Sequence, residues 1–139
     1  MVAVGPTDPA RLPPAGLDGL DPSWSRLVSV ALDGTTRTFH VLDTHAEHSS
    51  PAPTLTVLCV HGNPSWSYLW RNVLHQLPAD IRGVAIDHLD MGFSDRTGTT
   101  RRLAERIDDL CALTSELGIT GPVVTICLLY TSPSPRDRG

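Results

Sequence analysis

The residues best suited to chemistry stand together in the middle of the chain. Residues 61–71 read His-Gly-Asn-Pro-Ser-Trp-Ser-Tyr-Leu-Trp-Arg and follow directly on the apolar run Leu55 to Val60. Gly62 permits backbone angles closed to other residues, and Pro64 fixes a bend. Asn63 is thereby left at the end of an expected strand, where its backbone N–H and its side-chain amide can both donate to a ligand. Both groups are hydrogen-bond donors. The alternative role for Asn63 is to cap the turn that follows, because Asn is a frequent cap. The length of the surrounding pattern favours the functional role. His61 is expected to be structural, hydrogen-bonded within its own loop.

A second segment, Asp87-His88-Leu89-Asp90-Met91-Gly92-Phe93-Ser94-Asp95, follows the next short apolar run and reads as a structural turn. Other reactive side chains have blander readings. His40, His45, His48 and His75 are expected on the surface, and no pair of them has metal-ligand spacing. His88 could line a site at a strand end, but a structural role is the expectation. Glu105, Asp108 and Asp109 read as a solvated helix face. Cys59 and Cys111 read as small buried hydrophobes without a base nearby in sequence to activate them. Trp66 and Trp70 are expected mostly to pack.

These residues need elements to position them. Arg26 to Leu32 alternates, Asp33-Gly34 is a turn signal, and Thr35 to Leu42 is rich in β-branched and aromatic residues, which predicts a hairpin. His45 to Pro53 is polar and Pro-containing, hence a surface loop. Leu55 to Val60 is continuously apolar, as a strand buried on both faces of a mostly parallel sheet must be. Trp66 to Leu77 is the first candidate helix, and Gly83 to Ile86 the next strand. After possible caps at Thr99 and Thr100, Leu103, Ile107, Leu110, Leu113 and Leu117 form one helical stripe, with Gly118 at the C-terminal cap. A further strand is predicted from Pro122 to Ile126. A β-hairpin followed by β-α-β-α-β is the opening of an α/β fold built on a mostly parallel sheet. In such sheets functional residues gather at the carboxyl ends of the strands.

Composition narrows the partners. The net charge is -4 and the 11 basic residues are scattered, so nucleic acid is not an expected partner. No apolar run approaches the roughly 18 residues of a spanning helix. The three cysteines show neither a disulfide framework nor metal-ligand spacing. The start lacks a charged region followed by an apolar core, so it does not read as a signal peptide. A cytoplasmic protein with reduced thiols, without membrane or metal, is the expectation. Residues 1–22 read as a disordered Pro-rich leader and residues 23–126 as one partial domain.

The segment His61 to Arg71 resembles the His-Gly-X-Pro turn of the α/β-hydrolases, and its Asn-Pro form followed by Trp-Ser-Tyr-Leu-Trp-Arg is most similar to haloalkane dehalogenases. Asp87 to Asp95 resembles the D-x-x-G-x-G-x-S turn of that family, in which a glycine usually fills the place of Asp90. Together the likeness covers residues 24–126. It implies a hydrolase without a cofactor, acting on a small-molecule substrate. A nucleophilic Asp, typically in a His-Asp-Trp-Gly setting, would follow Ile126, displace halide and form an ester that a His-activated water hydrolyses. Asn63 would be the oxyanion- or halide-binding residue, with His61, Gly62 and Pro64 as motif support. A β-lactone decarboxylase of olefin biosynthesis is the near rival, and an epoxide hydrolase or serine esterase a third reading. The nucleophile, acid and catalytic His are expected outside this chain, which is then a non-catalytic fragment. Residues 127–139 carry no Gly-rich elbow, and Cys127 to Asp137 can be encoded by DNA that resembles a transposase mosaic-end adapter used for sequencing libraries, the alternative being a natural divergent C-terminus. They are expected to be a non-native, disordered tail.

Overall fold

In the computed structural model, residues 8–45 and 52–128 are described. The hairpin forms as predicted, with β1 (Ser25–Leu32) antiparallel to β2 (Thr35–Asp43). Asp33 (φ 51°) and Gly34 (φ 77°) are both left-handed, the backbone that a two-residue turn matching the strand twist requires. The parallel part consists of β3 (Leu55–Val60), β4 (Ile81–Ile86) and β5 (Val123–Cys127). β4 pairs in parallel with β3, β3 in parallel with β5, and β2 runs antiparallel to β4. The spatial order is β1-β2-β4-β3-β5.

Alternation along the inner strands sends side chains to two cores. Val41, Leu58, Val60, Val84 and Ile86 join Val28, Val30 and Phe39 on one face, beneath Leu113 of α2 (Leu103–Glu116) and Leu117 at its C-terminal cap. Leu42, Val57, Cys59 and Ala85 face the other side, beneath Trp70 and Leu74. Trp70 ends a 3-10 turn (Ser67–Trp70) that leads into the short helix α1 (Arg71–Gln76). The helix expected over Trp66 to Leu77 is therefore half 3-10, with Trp66 still extended at φ -162°.

The second helix differs from expectation at its start. Its N-cap is Arg102 instead of Thr99 or Thr100, and Glu105 accepts the Arg102 N–H at 2.8 Å. The stripe is buried only at its C-terminal end: Leu113 and Leu117 are enclosed, while Leu103 and Ile107 are exposed. β4 begins at Ile81, earlier than predicted, and β5 runs on to Cys127, which pairs with Val60. Every residue of β5 is exposed.

Residues 8–22, expected as a loose leader, lie along the surface in defined hydrogen bonds. Ala10 N donates to Asp95 Oδ1 at 2.7 Å, Arg11 N to the Phe93 carbonyl at 3.1 Å, and Arg96 N to the Asp8 carbonyl at 3.0 Å. Backbone groups satisfied by the 93–96 turn do here what apolar burial does elsewhere. The other expectations for residues 1–7, for His48 within 46–51, and for 129–139 fall outside the described residues.

Candidate functional site

β3, β4 and β5 run parallel, and the loops that leave β3 and β4 at their carboxyl ends carry both sequence motifs. His61, Gly62, Asn63 and Pro64 follow β3, while Asp87, His88 and Leu89 follow β4. His61 and Gly62 are buried; Asn63 and Pro64 are exposed at that edge, joined by a cis peptide.

Asp87 organises the turn after β4. Its Oδ1 accepts the Ser67 N–H at 2.7 Å, and its Oδ2 accepts the Phe93 N–H and a His40 ring nitrogen, each at 2.9 Å. Burial alone would raise this carboxyl, but the His40 ring and the two N–H groups more than offset it and hold the group below the usual carboxylate range. Gly92 has φ 53°, and a Cβ there would collide with Asp87 Oδ2, so both the backbone and the space require glycine. Asp95 works in the same way, taking Ala10 N and Thr38 N on its two oxygens at 2.7 Å. Asp87 and Asp95 thus hold the segment between them through backbone N–H groups. Asp90, which stands where the family pattern has glycine, adopts φ 68°.

His61 and His88 meet across the β3 and β4 ends with ring centroids 4.4 Å apart. His88 N–H donates to His61 Nε2 at 3.0 Å, and His61 Nδ1 lies 2.7 Å from the Gly62 carbonyl. Burial lowers the pKa of both rings, that of His88 to about 4, with the neighbouring His61 and Arg106 adding to the effect. Both are neutral near neutral pH.

The structure corrects several expectations. His40, expected on the surface, is fully enclosed, because β2 turns it toward Asp87 and Ser25. Asp109, read as part of a solvated face, is 3% exposed and bound by Arg101, whose Nε donates to it at 2.8 Å. Cys111 is exposed, since it lies on the outer side of α2, whereas Cys59 is buried with its thiol pushed up to about 11 by burial. That thiol is inert as a nucleophile. Sequence reading missed the enclosed Asp43–Arg82 pair, in which Arg82 donates to both carboxylate oxygens at 3.1 and 2.8 Å. No local signal marks this pair, because its members are 39 residues apart in sequence. Trp66 stacks on Tyr68 and packs on Phe93, and Trp70 is buried, as expected of packing aromatics.

A cavity of about 510 Å³ lies elsewhere. Trp24, His45, His75, Asp80 and Ile81 are among its lining, and Ile81 is the amino end of β4. It is therefore remote from the Asn63 edge, and the chemistry of the donors is the better guide to the site. Among the described residues no cluster of His, Cys, Asp or Glu could hold a metal, and no helix is long and apolar enough to cross a membrane.

No protein-family model matches the chain. It is 40% identical over 81 residues to a cis-3-alkyl-4-alkyloxetan-2-one decarboxylase of Xanthomonas campestris, covering 52% of this chain and 27% of that protein. It is 45% identical over 40 residues to haloalkane dehalogenase 2 of Mycobacterium tuberculosis, covering 29% of this chain and 14% of that one. Among solved structures, the haloalkane dehalogenase DpaA of Paraglaciecola agarilytica superposes with a TM-score of 0.63 at 25% identity, over 74% of this chain and 34% of the other. The chain thus spans about a quarter of the length of its first curated relative.

Proposed function

This chain belongs to the haloalkane dehalogenase-like α/β-hydrolases, and from that premise we propose that it carries the leaving-group or oxyanion donor of a hydrolase without a cofactor, with Asn63 in that role. The observation that supports this reading is the place of Asn63. It is exposed just beyond the carboxyl end of β3, the strand flanked by β4 and β5. In an open α/β sheet that is where ligands bind. A hydrogen-bond donor there lowers the energy of charge that appears only as the reaction proceeds.

Two finer activities fit. In a haloalkane dehalogenase, a carboxylate displaces halide from carbon, the halide leaves with the bonding pair, and water then cleaves the ester. In an oxetan-2-one decarboxylase, a β-lactone ring opens and carbon dioxide is released. The His61 to Arg71 pattern speaks for the first. Similarity over 81 residues to a decarboxylase, against 40 to a dehalogenase, favours the second. Both demand a donor facing developing negative charge, so the role of Asn63 is common to them. The substrate is a small molecule and the compartment the cytoplasm.

The nucleophile belongs after the last strand, and the source DNA tests this directly. An Asp codon in a His-Asp-Trp setting following Ile126 is expected, and a Ser between glycines would replace this reading with an esterase. The 139-residue chain itself is expected to turn over no haloalkane, lactone or ester above a heat-treated control. Turnover would show that this chain suffices for catalysis, and the nucleophile would then have to be sought within it.

A further inference from the structure

The hydrogen bonds around His61 fix the protonation of two rings. The His88 backbone N–H can only donate, so the His61 Nε2 that receives it at 3.0 Å carries no proton. The proton of the neutral ring is then on Nδ1, which donates to the Gly62 carbonyl at 2.7 Å. A carbonyl can only accept, so the His88 Nε2 that lies 3.1 Å from the His61 carbonyl carries its proton there. The two residues hold each other in a closed exchange between the β3 and β4 ends.

The Gly62 carbonyl belongs to the same planar unit as the Asn63 N–H, and in a trans peptide the two point in opposite directions. We propose that His61, locked by His88, is the positioning residue for Asn63: by holding the Gly62 carbonyl through Nδ1–H it sets the direction of the Asn63 N–H. This rests on the reading of Asn63 as a donor, and extends it to the residue that aims the donor. A bond to one end of a rigid plane orients the other end without touching any ligand. The arrangement needs both rings neutral, which enclosure provides. The charged groups facing them are Asp87, which opposes that neutrality, and Arg106, which supports it.

Two substitutions separate the two bonds of His61. In His61→Asn the amide NH₂ stands near the Nδ1 place and can still donate to Gly62, but the acceptor for His88 is lost. In His61→Gln the amide oxygen can take the Nε2 place and accept from His88, but the donor to Gly62 is lost. On the isotope-labelled chain, long-range proton–nitrogen spectra are expected to show His61 protonated at Nδ1 and His88 at Nε2. The Asn63 amide resonance should move further in His61→Gln, and the His88 amide should exchange roughly tenfold faster in His61→Asn, the loss expected of one buried hydrogen bond. His61 protonated at Nε2 in the unaltered chain would overturn the proposal even if neither variant folds. Equal displacement of both amides by both variants would also overturn it, because a residue that only fills space has that effect. All of these signals are read without substrate. Failure of Asn63 as a donor would leave them unchanged and appear only in turnover.

Discussion

The imidazole Nδ1 of His40 and the carboxylate Oδ2 of Asp87 lie 2.9 Å apart where neither side chain meets solvent. His40 is on β2 and Asp87 directly follows β4, so this one contact ties the hairpin to the parallel part of the sheet. The backbone repeats the connection: Asp87 N donates to the His40 carbonyl at 3.0 Å, and His40 N donates to Ser94 Oγ at 2.9 Å. Ser94 Oγ in turn donates to the Asp87 carbonyl at 2.7 Å.

His40→Ala should therefore destabilise far more than a surface substitution. Removing one partner of an enclosed pair leaves the other without compensation, at a cost of about 3 kcal/mol. Asp87 retains the Ser67 and Phe93 N–H groups, which keeps the cost toward the lower end of the range. The urea midpoint measures it. A loss below about 1 kcal/mol, the scale of an exposed pair, would mean that the turn is held by its backbone bonds alone.

Asp90 separates strain from hydrogen bonding. At φ 68° a side chain costs roughly 1 to 2 kcal/mol relative to glycine. The same side chain, however, accepts from Thr97 Oγ1 at 2.6 Å and from Thr97 N and Gly98 N. Asp90→Ala keeps the strain and loses the bonds, while Asp90→Gly loses both. We expect Asp90→Ala to be the less stable of the two by about 1 kcal/mol. Asp90→Asn, which tolerates the conformation and keeps an acceptor, should stand closest to the natural residue. Equal stabilities of the Ala and Gly variants in thermal or urea unfolding would refute the strain.

Much of this architecture was legible in the residues. Asp33-Gly34 demanded a left-handed turn and the fold supplies one. The continuous apolar run Leu55 to Val60 announced a strand covered on both faces, and both cores draw on it. Polar partners were less legible, because periodicity reports which face a side chain takes and not what it meets there. His40 and Asp87 are 47 residues apart in sequence, and Asp43 and Arg82 are 39 apart. Nothing local marks either as one half of a pair. Asp109 was misread for a related reason. Its carboxylate faces back across the N-terminus of its helix to Arg101, a residue outside the helical pattern. At the site, the motif indicated Asn63 and its neighbours, but the exchange between His61 and His88 depends on two strand ends being adjacent, which sequence spacing does not report.

Acid should weaken the fold in two stages. His88 has an ordinary value of 6.5 and a folded value of about 4, so between these the unfolded chain binds more protons than the folded one. Its contribution is complete above about 6.5 and is lost as pH falls toward about 4. The lowered pKa of His61 acts in the same direction. Asp87 acts later: its contribution is present above its ordinary 3.8 and is lost as pH falls below that, through its depressed folded value. Urea midpoints should therefore decline between about pH 6.5 and 4.5 before Asp87 is involved. His88→Gln, which can still donate to the His61 carbonyl, should flatten that decline. An unaltered slope in this variant would remove His88 as its source.

Asn63 offers two donors, and substitution can tell which one the reaction uses. If the side-chain amide receives the departing charge, Asn63→Ala in an enzyme carrying this segment together with its nucleophile should lower kcat by about 10² to 10³, the loss found when one oxyanion-type donor is removed. KM should change little, because the interaction strengthens only as charge develops. If the backbone N–H is the donor, Asn63→Ala should be nearly silent in kcat, while His61→Gln, which frees the Gly62–Asn63 peptide, should lower it. The two variants thus exchange order between the mechanisms. The side-chain amide, which can face a halide or a ring oxygen directly, is expected to supply most of the loss and the backbone N–H that His61 aims a smaller part, so His61→Gln should lower kcat less than Asn63→Ala. A full-rate Asn63→Ala enzyme that also tolerates His61→Gln would exclude both routes and remove this edge of the sheet from the chemistry.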